Sequence, residues 1–255
     1  MSPSTWETRQ ILITVKAYPR PSRTHGETEC VAGVTSDGEW IRLYPVRWRD
    51  LDDPHRFKKW SWVEARVTKS AKDPRTETYV PDHDSIRVVG EVRTGPSKDW
   101  AERKRIVLPL KSPSLEMLWA SDRSLGLIRV KELGEFILEP DDTDWSEEQK
   151  RWLSRMDLFD RPKKPLEKVP WRFQYRFWCE GADCRGHTAH VVDWELFQSW
   201  RSWRHRYKPG ELEMQLRRKY FNEMKQRDLH FFMGTTLARH VERAFIIVGL
   251  FYPPK

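Results

Sequence analysis

The sequence predicts a β-rich α+β protein that begins with a small β-barrel. Three observations carry this. Five short β-branched or alternating segments crowd residues 10–95, where helical patterning is nearly absent. Further strand-like segments follow to residue 251, broken by amphipathic helical stretches. Turn dipeptides such as Asp37-Gly38 separate the early segments at hairpin spacing.

In the first region the predicted strands are Gln10–Ala17, Cys30–Val34, Glu39–Val46, Trp60–Lys69 and Ser85–Val92, the last with Gly90 at a bulge. Strand alternation puts Trp40, Arg42 and Tyr44 on one face and Ile41, Leu43 and Pro45 on the other. Lys72–Asp82 reads as a polar, proline-bracketed loop, either ligand-binding or satisfied by its own side chains, with the second favoured. Ser97 and Ser114 are placed to cap short helices over 97–107 and 114–121. Gly126–Val130 and Phe136–Glu139 then look like a strand pair turning at Leu133-Gly134. Ser146 caps a helix over Glu147–Met156, and Arg161–Pro170, with three prolines and three lysines, is a connector. Strands over Phe173–Trp178 and His190–Asp193 precede a helix from Trp194 to Tyr207. Pro209-Gly210 breaks the chain before a second helix, Glu211–Gln226, whose Leu212, Leu216, Phe221 and Met224 fall at mixed spacings of three to five. Leu229–Gly234 and Ala244–Phe251 close the fold as a strand pair, joined by a loop carrying Arg239, His240 and Arg243.

Composition excludes some classes. No run approaches the roughly 20 apolar residues of a membrane span. The 14 Trp, 11 Phe and 7 Tyr argue against disorder. The N-terminus has no basic-then-apolar leader, and three cysteines cannot form an even disulfide framework, so a cytoplasmic, reducing setting is expected. The net charge is +8, and residues 151–230, with 18 Lys+Arg against 11 Asp+Glu, hold nearly all of it. No glycine-rich phosphate loop, G-x-S-x-G or H-E-x-x-H is present, so no catalytic residue is assigned.

The sharpest local motif is Cys179-x4-Cys184-x2-His187-x2-His190. Thiolate and imidazole are preferred zinc donors, and a closed structural site needs four. Cys179, Cys184, His187 and His190 are therefore the expected ligands of a structural Zn2+. A distant His230 or His240 is the alternative fourth donor, because His187 and His190 are close together for one ion. The plain alternative is two buried cysteines beside a backbone-bonded imidazole.

Basic residues interleave with aromatics at two places. Arg42, Tyr44, Arg47 and Trp48 lie on and beyond the Glu39–Val46 strand, and Arg201, Arg204 and Arg206 lie among Trp200, Trp203 and Tyr207, with Arg217 and Arg218 on the next helix. Arg75 belongs to the polar loop. Such groups suit phosphates and stacked bases. They equally suit a buried aromatic core with a paired Arg42, and a solvated helix face.

ILITVKAYPRPS (11–22), DGEWIRLYPV (37–46), KDPRTETYVPD (72–82), the Cys179–Glu195 region and FIIVGLFYPP (245–254) together resemble an uncharacterised prokaryotic family of dual OB-fold proteins met among bacterial conflict and mobile-element systems. The resemblance implies two OB-like barrels, over 10–95 and 96–255, the second carrying helical insertions and the Cys/His loop. OB folds often bind oligonucleotides. The resulting expectation is a non-catalytic protein binding single-stranded or structured RNA or DNA in a defence or mobile-element system. The alternatives are a protein-interaction adaptor, and a metal-dependent nuclease using Asp193 and Glu195.

Overall fold

The computed structural model describes residues 5–154, 165–237 and 244–255. The first sheet holds β1 (Glu7–Lys16), β2 (Arg20–Ser22), β3 (Gly26–Thr35), β4 (Trp40–Val46), β5 (Ser61–Lys69), β6 (Thr78–Pro81) and β7 (Arg87–Glu91). Five of these close on themselves in the order β1-β3-β4-β6-β5-β1, with β4 and β6 parallel. The chain then forms α1 (Ala101–Val107), β8 (Lys111–Ser112), α2 (Leu115–Ala120), β9 (Leu125–Pro140), α3 (Glu147–Ser154), β10 (Trp171–Cys179), β11 (His187–Val191), α4 (Trp194–Trp203), α5 (Pro209–Arg217), β12 (His230–Thr235) and β13 (Phe245–Phe251). Its second barrel closes as β9-β10-β11-β13-β12-β9, with β11 and β13 parallel. Counting strands within each barrel, both follow the same 1-2-3-5-4 order, and helices α4 and α5 fill the link between strands three and four of the second. The protein is a tandem of two five-stranded OB-type barrels.

Several elements differ from the sequence expectation. The strand that closes the first barrel is β6, inside the segment read as a loop, while β7 is an outer strand paired only with β5. Its bulge lies at Val89, between the pairs Trp62–Gly90 and Val63–Val88. The expected strand pair around Gly134 is one 16-residue strand, β9. Its first half pairs with β12 and its second with β10, so it bends around the barrel instead of turning back. Gly134 serves close packing there: a Cβ would come 2.7 Å from the Trp178 ring. Ser97 caps nothing; α1 starts after Trp100, which adopts a left-handed φ of 60°, and Asp99 Oδ1 accepts from Ala101 N. Ser114 caps α2 as expected, accepting from Met117 N. The mixed spacing of the last helix has a physical cause. Beyond α5 the helix widens to a π segment, Arg218–Glu223, whose extra residue shifts the apolar face. Residues 155–164 and 238–243, with parts of the expected helix, connector and basic loop, lie outside the described residues.

Three cores result. Ile11, Ile13, Val31, Ile41 and Leu43 fill the first barrel. Phe136, Phe173, Tyr175, Phe177 and Phe231 fill the second. The third lies between the barrels, where Leu12, Val15, Ala32, Val34 and Trp40 meet Leu125, Leu127, Phe232, Val248 and Phe251. β1 is thus buried on both faces, which is why its apolar run is nearly continuous. A bulge between Ile13 and Val15 sets which side chains face which core. Each fully buried large apolar side chain contributes about 1.5–3 kcal/mol, so this interface fixes the barrels as one body.

Candidate functional site

Two places gather the side chains singled out by the sequence. The first is built by the β10–β11 turn and the first turn of α2. Cys179 ends β10, Cys184 lies in the turn and His187 opens β11. Ser114 fixes the start of α2, and that places Glu116 over the turn. His187 Nε2 is 3.3 Å from Cys184 Sγ, 3.6 Å from Cys179 Sγ and 3.2 Å from Glu116 Oε1; Glu116 Oε2 is 3.7 Å from Cys179 Sγ. A tetrahedral ion with bonds of about 2.0 Å to N or O and 2.3 Å to S has donor–donor edges of roughly 3.3–3.8 Å. The four distances above fall in or near that range, and all four donors lie within 4.8 Å of one another. Burial pushes the Cys179 thiol up to about 11, so a thiolate there needs a cation beside it. Burial also holds His187 below the usual imidazole range, despite Glu116, in its neutral, ligating form. Two sulfur donors make hard Ca2+ or Mg2+ a poor match. The cluster is compatible with a metal site.

His190 is not part of it. On a strand, residues three apart face opposite ways, and β11 turns His187 and Ala189 inward and His190 outward. His230 is also elsewhere, buried in β12 with its Nδ1 donating to the Asp228 carbonyl at 3.0 Å. His240 lies outside the described residues. Glu116, 63 positions before Cys179, carries no sequence signal that links it to the motif.

The second place is a cleft of about 790 Å³ between the barrels. Its first-barrel wall comes from the β1–β3 connection (Ala17–Ser22), Thr28 and Cys30 of β3, Tyr44 of β4, and Arg75 before β6. Opposite stand Asp141, Asp142, Trp145, Lys168, Trp171 and Arg172 from the β9–β10 region, His190, Phe197 of α4 and Thr235–Leu237 at the start of the β12–β13 connection. In OB terms these are the loops after strands one and four of both barrels, the regions OB folds use for ligands. Arg20 and Arg172 are exposed at the rim; Lys168 lies 3.6 Å from both Asp141 and Asp142.

The arginines and aromatics expected to contact nucleic acid do not converge as a set. Tyr44 and Arg75 reach the cleft. Arg75 is nonetheless buried and committed, its guanidinium on Asp73 and the Thr235 carbonyl. Arg42 is 1% exposed and makes no surface contact at all. It donates to Ser124 Oγ at 2.7 Å and the Ser124 carbonyl at 3.0 Å, and Ser124 is held in turn by Glu77. The physical reason is that the outer face of β4 packs on the second barrel. Trp48 is no stacking platform: its indole N–H donates to the Phe57 carbonyl and its ring covers the Lys16 ammonium at 3.3 Å. Arg47 stands 3.8 Å from Asp50. Arg201 and Arg204 both grip Glu167, whose carbonyl accepts from the Tyr18 hydroxyl in the cleft, so these two flank it as paired charges. Arg206 and Arg218 are exposed, and Arg217 is tied to Glu213 and the Phe136 carbonyl; none of the three lines the cleft. Asp193 and Glu195 are likewise engaged, by Lys59 at 3.1 and 2.9 Å, and Asp193 caps α4.

Fold and cleft define a tandem OB-fold protein with a Cys/His/Glu cluster on its second barrel. The chain belongs to the family described as Domain of unknown function (DUF8757), whose model matches residues 116–255; a second model, Domain of unknown function (DUF8758), matches residues 7–109. No curated protein and no solved structure matches the chain. No described helix is long and apolar enough to cross a membrane.

Proposed function

We propose that this protein binds single-stranded nucleic acid in the inter-barrel cleft, in the bacterial defence or mobile-element setting that its family resemblance implies, and carries a structural Zn2+ on Glu116, Cys179, Cys184 and His187. The observation that supports the binding reading best is the meeting of both barrels' ligand-side loops at one cleft with aromatic walls and a rim where Arg20, Lys168 and Arg172 stand among Asp141 and Asp142. Arg20, Lys168 and Arg172 would take phosphates, while Tyr44 and Trp171 offer ring faces to bases. Zinc would supply charge compensation for two thiolates and tie α2 to the β10–β11 turn.

Fluorescence anisotropy with labelled single-stranded DNA and RNA over a salt series tests the first part. Binding that weakens steeply with salt is expected, because phosphate neutralisation releases counterions. No binding at low salt to either polymer would refute it. Metal content after dialysis tests the second part, with one zinc per chain expected and none refuting it.

A further inference from the structure

We infer that the cleft takes the end of a nucleic-acid strand, about two nucleotides deep, and not the middle of a continuous strand; this rests on the nucleic-acid reading above. In an OB fold a strand is bound across the face of strands two and three, here the outer face of β3 and β4. Most of that face is occupied. Ala32, Val34 and Trp40 are buried in the inter-barrel core, and Arg42 is locked onto Ser124 across the same interface. Only Thr28, Cys30 and Tyr44 of the two strands still open to the cleft.

The cleft is closed in the same direction. Ala17, Val192 and Val248 line it and are also members of the inter-barrel core, so its inner wall is the packed interface itself. A strand entering from the rim meets this wall and has no exit along β3 and β4. The volume of about 790 Å³ lies in the range that encloses a drug-sized ligand, which for nucleic acid means on the order of two nucleotides. The lining combines apolar and aromatic side chains for bases with Arg20, Lys168 and Arg172 for phosphates, although Lys168 also lies beside Asp141 and Asp142 and Arg172 lies 3.6 Å from Glu139.

The test compares a linear single-stranded oligonucleotide with a covalently closed circle of the same sequence, in DNA and in RNA, by competition against a labelled linear strand. A linear strand at least tenfold tighter than its circle is expected, with unlabelled trinucleotides competing. Equal affinity for circle and line would overturn the strand-end inference while leaving the binding reading intact. No binding of either would overturn both. A Cys30→Trp variant that fills the cleft supplies the second measurement. With thermal unfolding unchanged, it is expected to lose linear-strand affinity at least tenfold, and retained affinity in the folded variant would count against the cleft as the place of entry.

Discussion

Lys59 Nζ lies 3.1 Å from Asp193 Oδ2, with the two side chains 5% and 0% exposed and on different barrels. Burial opposes the Lys59 charge, but the Asp193 and Glu195 carboxylates more than offset it and hold the ammonium above the ordinary lysine range. Asp193 also accepts from Glu195 N and Leu250 N. One side chain thus caps α4, receives β13 and anchors the first barrel. Breaking one partner of a buried pair typically costs about 3–5 kcal/mol. Lys59→Met is therefore expected to lower stability by that amount in urea unfolding. A loss below about 1 kcal/mol would show that the apolar interface alone joins the barrels.

Arg42 and the rim arginines should separate stability from binding. Arg42→Ala removes the donor to Ser124 inside the interface and leaves Glu77 with a weakened network. It is expected to cost about 3 kcal/mol of stability and to leave oligonucleotide affinity unchanged at temperatures where the variant is folded. The double variant Arg20→Ala/Arg172→Ala should do the reverse. Its salt slope should fall by about two counterions, with surface substitutions of this kind costing less than about 0.5 kcal/mol. Loss of binding with unchanged stability in Arg42→Ala would sink the assignment.

Much of this fold was legible because local chemistry and tertiary packing agree. Alternation in Trp40–Val46 identified the strand and its two faces correctly, since Ile41 and Leu43 fill the barrel. It did not say that the Trp40–Arg42 face is also buried, because only the second barrel, distant in sequence, covers it. β6 carries no tight-hairpin signal because it is only four residues long and its antiparallel pairing with β5 is reached through the long connection over residues 70–77. The Cys179–His187 part of the metal motif is local and was readable; Glu116 is recruited by topology. His190 falls outside the cluster because the two-residue period of β11 turns it away from His187, which ligand spacing alone does not show.

The cluster makes a sharp metal prediction. Cys184→Ser and Glu116→Ala should each lower zinc affinity, the first until metal is lost on dialysis and the second by at least tenfold in competition with a chelator. His190→Ala should leave metal content unaltered. Zinc lost in His190→Ala, or retained undiminished in Glu116→Ala, would restore the four-residue motif over the observed geometry.

Glu29 supplies the last prediction. It is 2% exposed on β3, and neither carboxyl oxygen has a hydrogen-bond partner. Desolvation raises its pKa from the ordinary 4.5 to about 7, against the pull of Lys16, whose own ammonium burial lowers to about 8 under Trp48 and Trp194. In this acid the folded state holds its proton more tightly than the unfolded chain does. Its contribution is therefore fully favourable below about pH 4.5, declines as pH rises through the window to about 7, and is constant above it. The shift corresponds to roughly 3.5 kcal/mol at most. Other carboxylates titrate oppositely: hydrogen bonds from Lys111 and Arg129 outweigh partial burial and hold Glu180 below the usual range. The informative quantity is accordingly the difference between the wild type and Glu29→Gln. Urea midpoints measured near pH 5 and pH 7.5 should show the variant gaining on the wild type at the higher pH, because the amide has no charge to bury. A difference that stays constant between the two pH values would mean that Glu29 is ionised throughout, paired with Lys16 as a buried salt bridge.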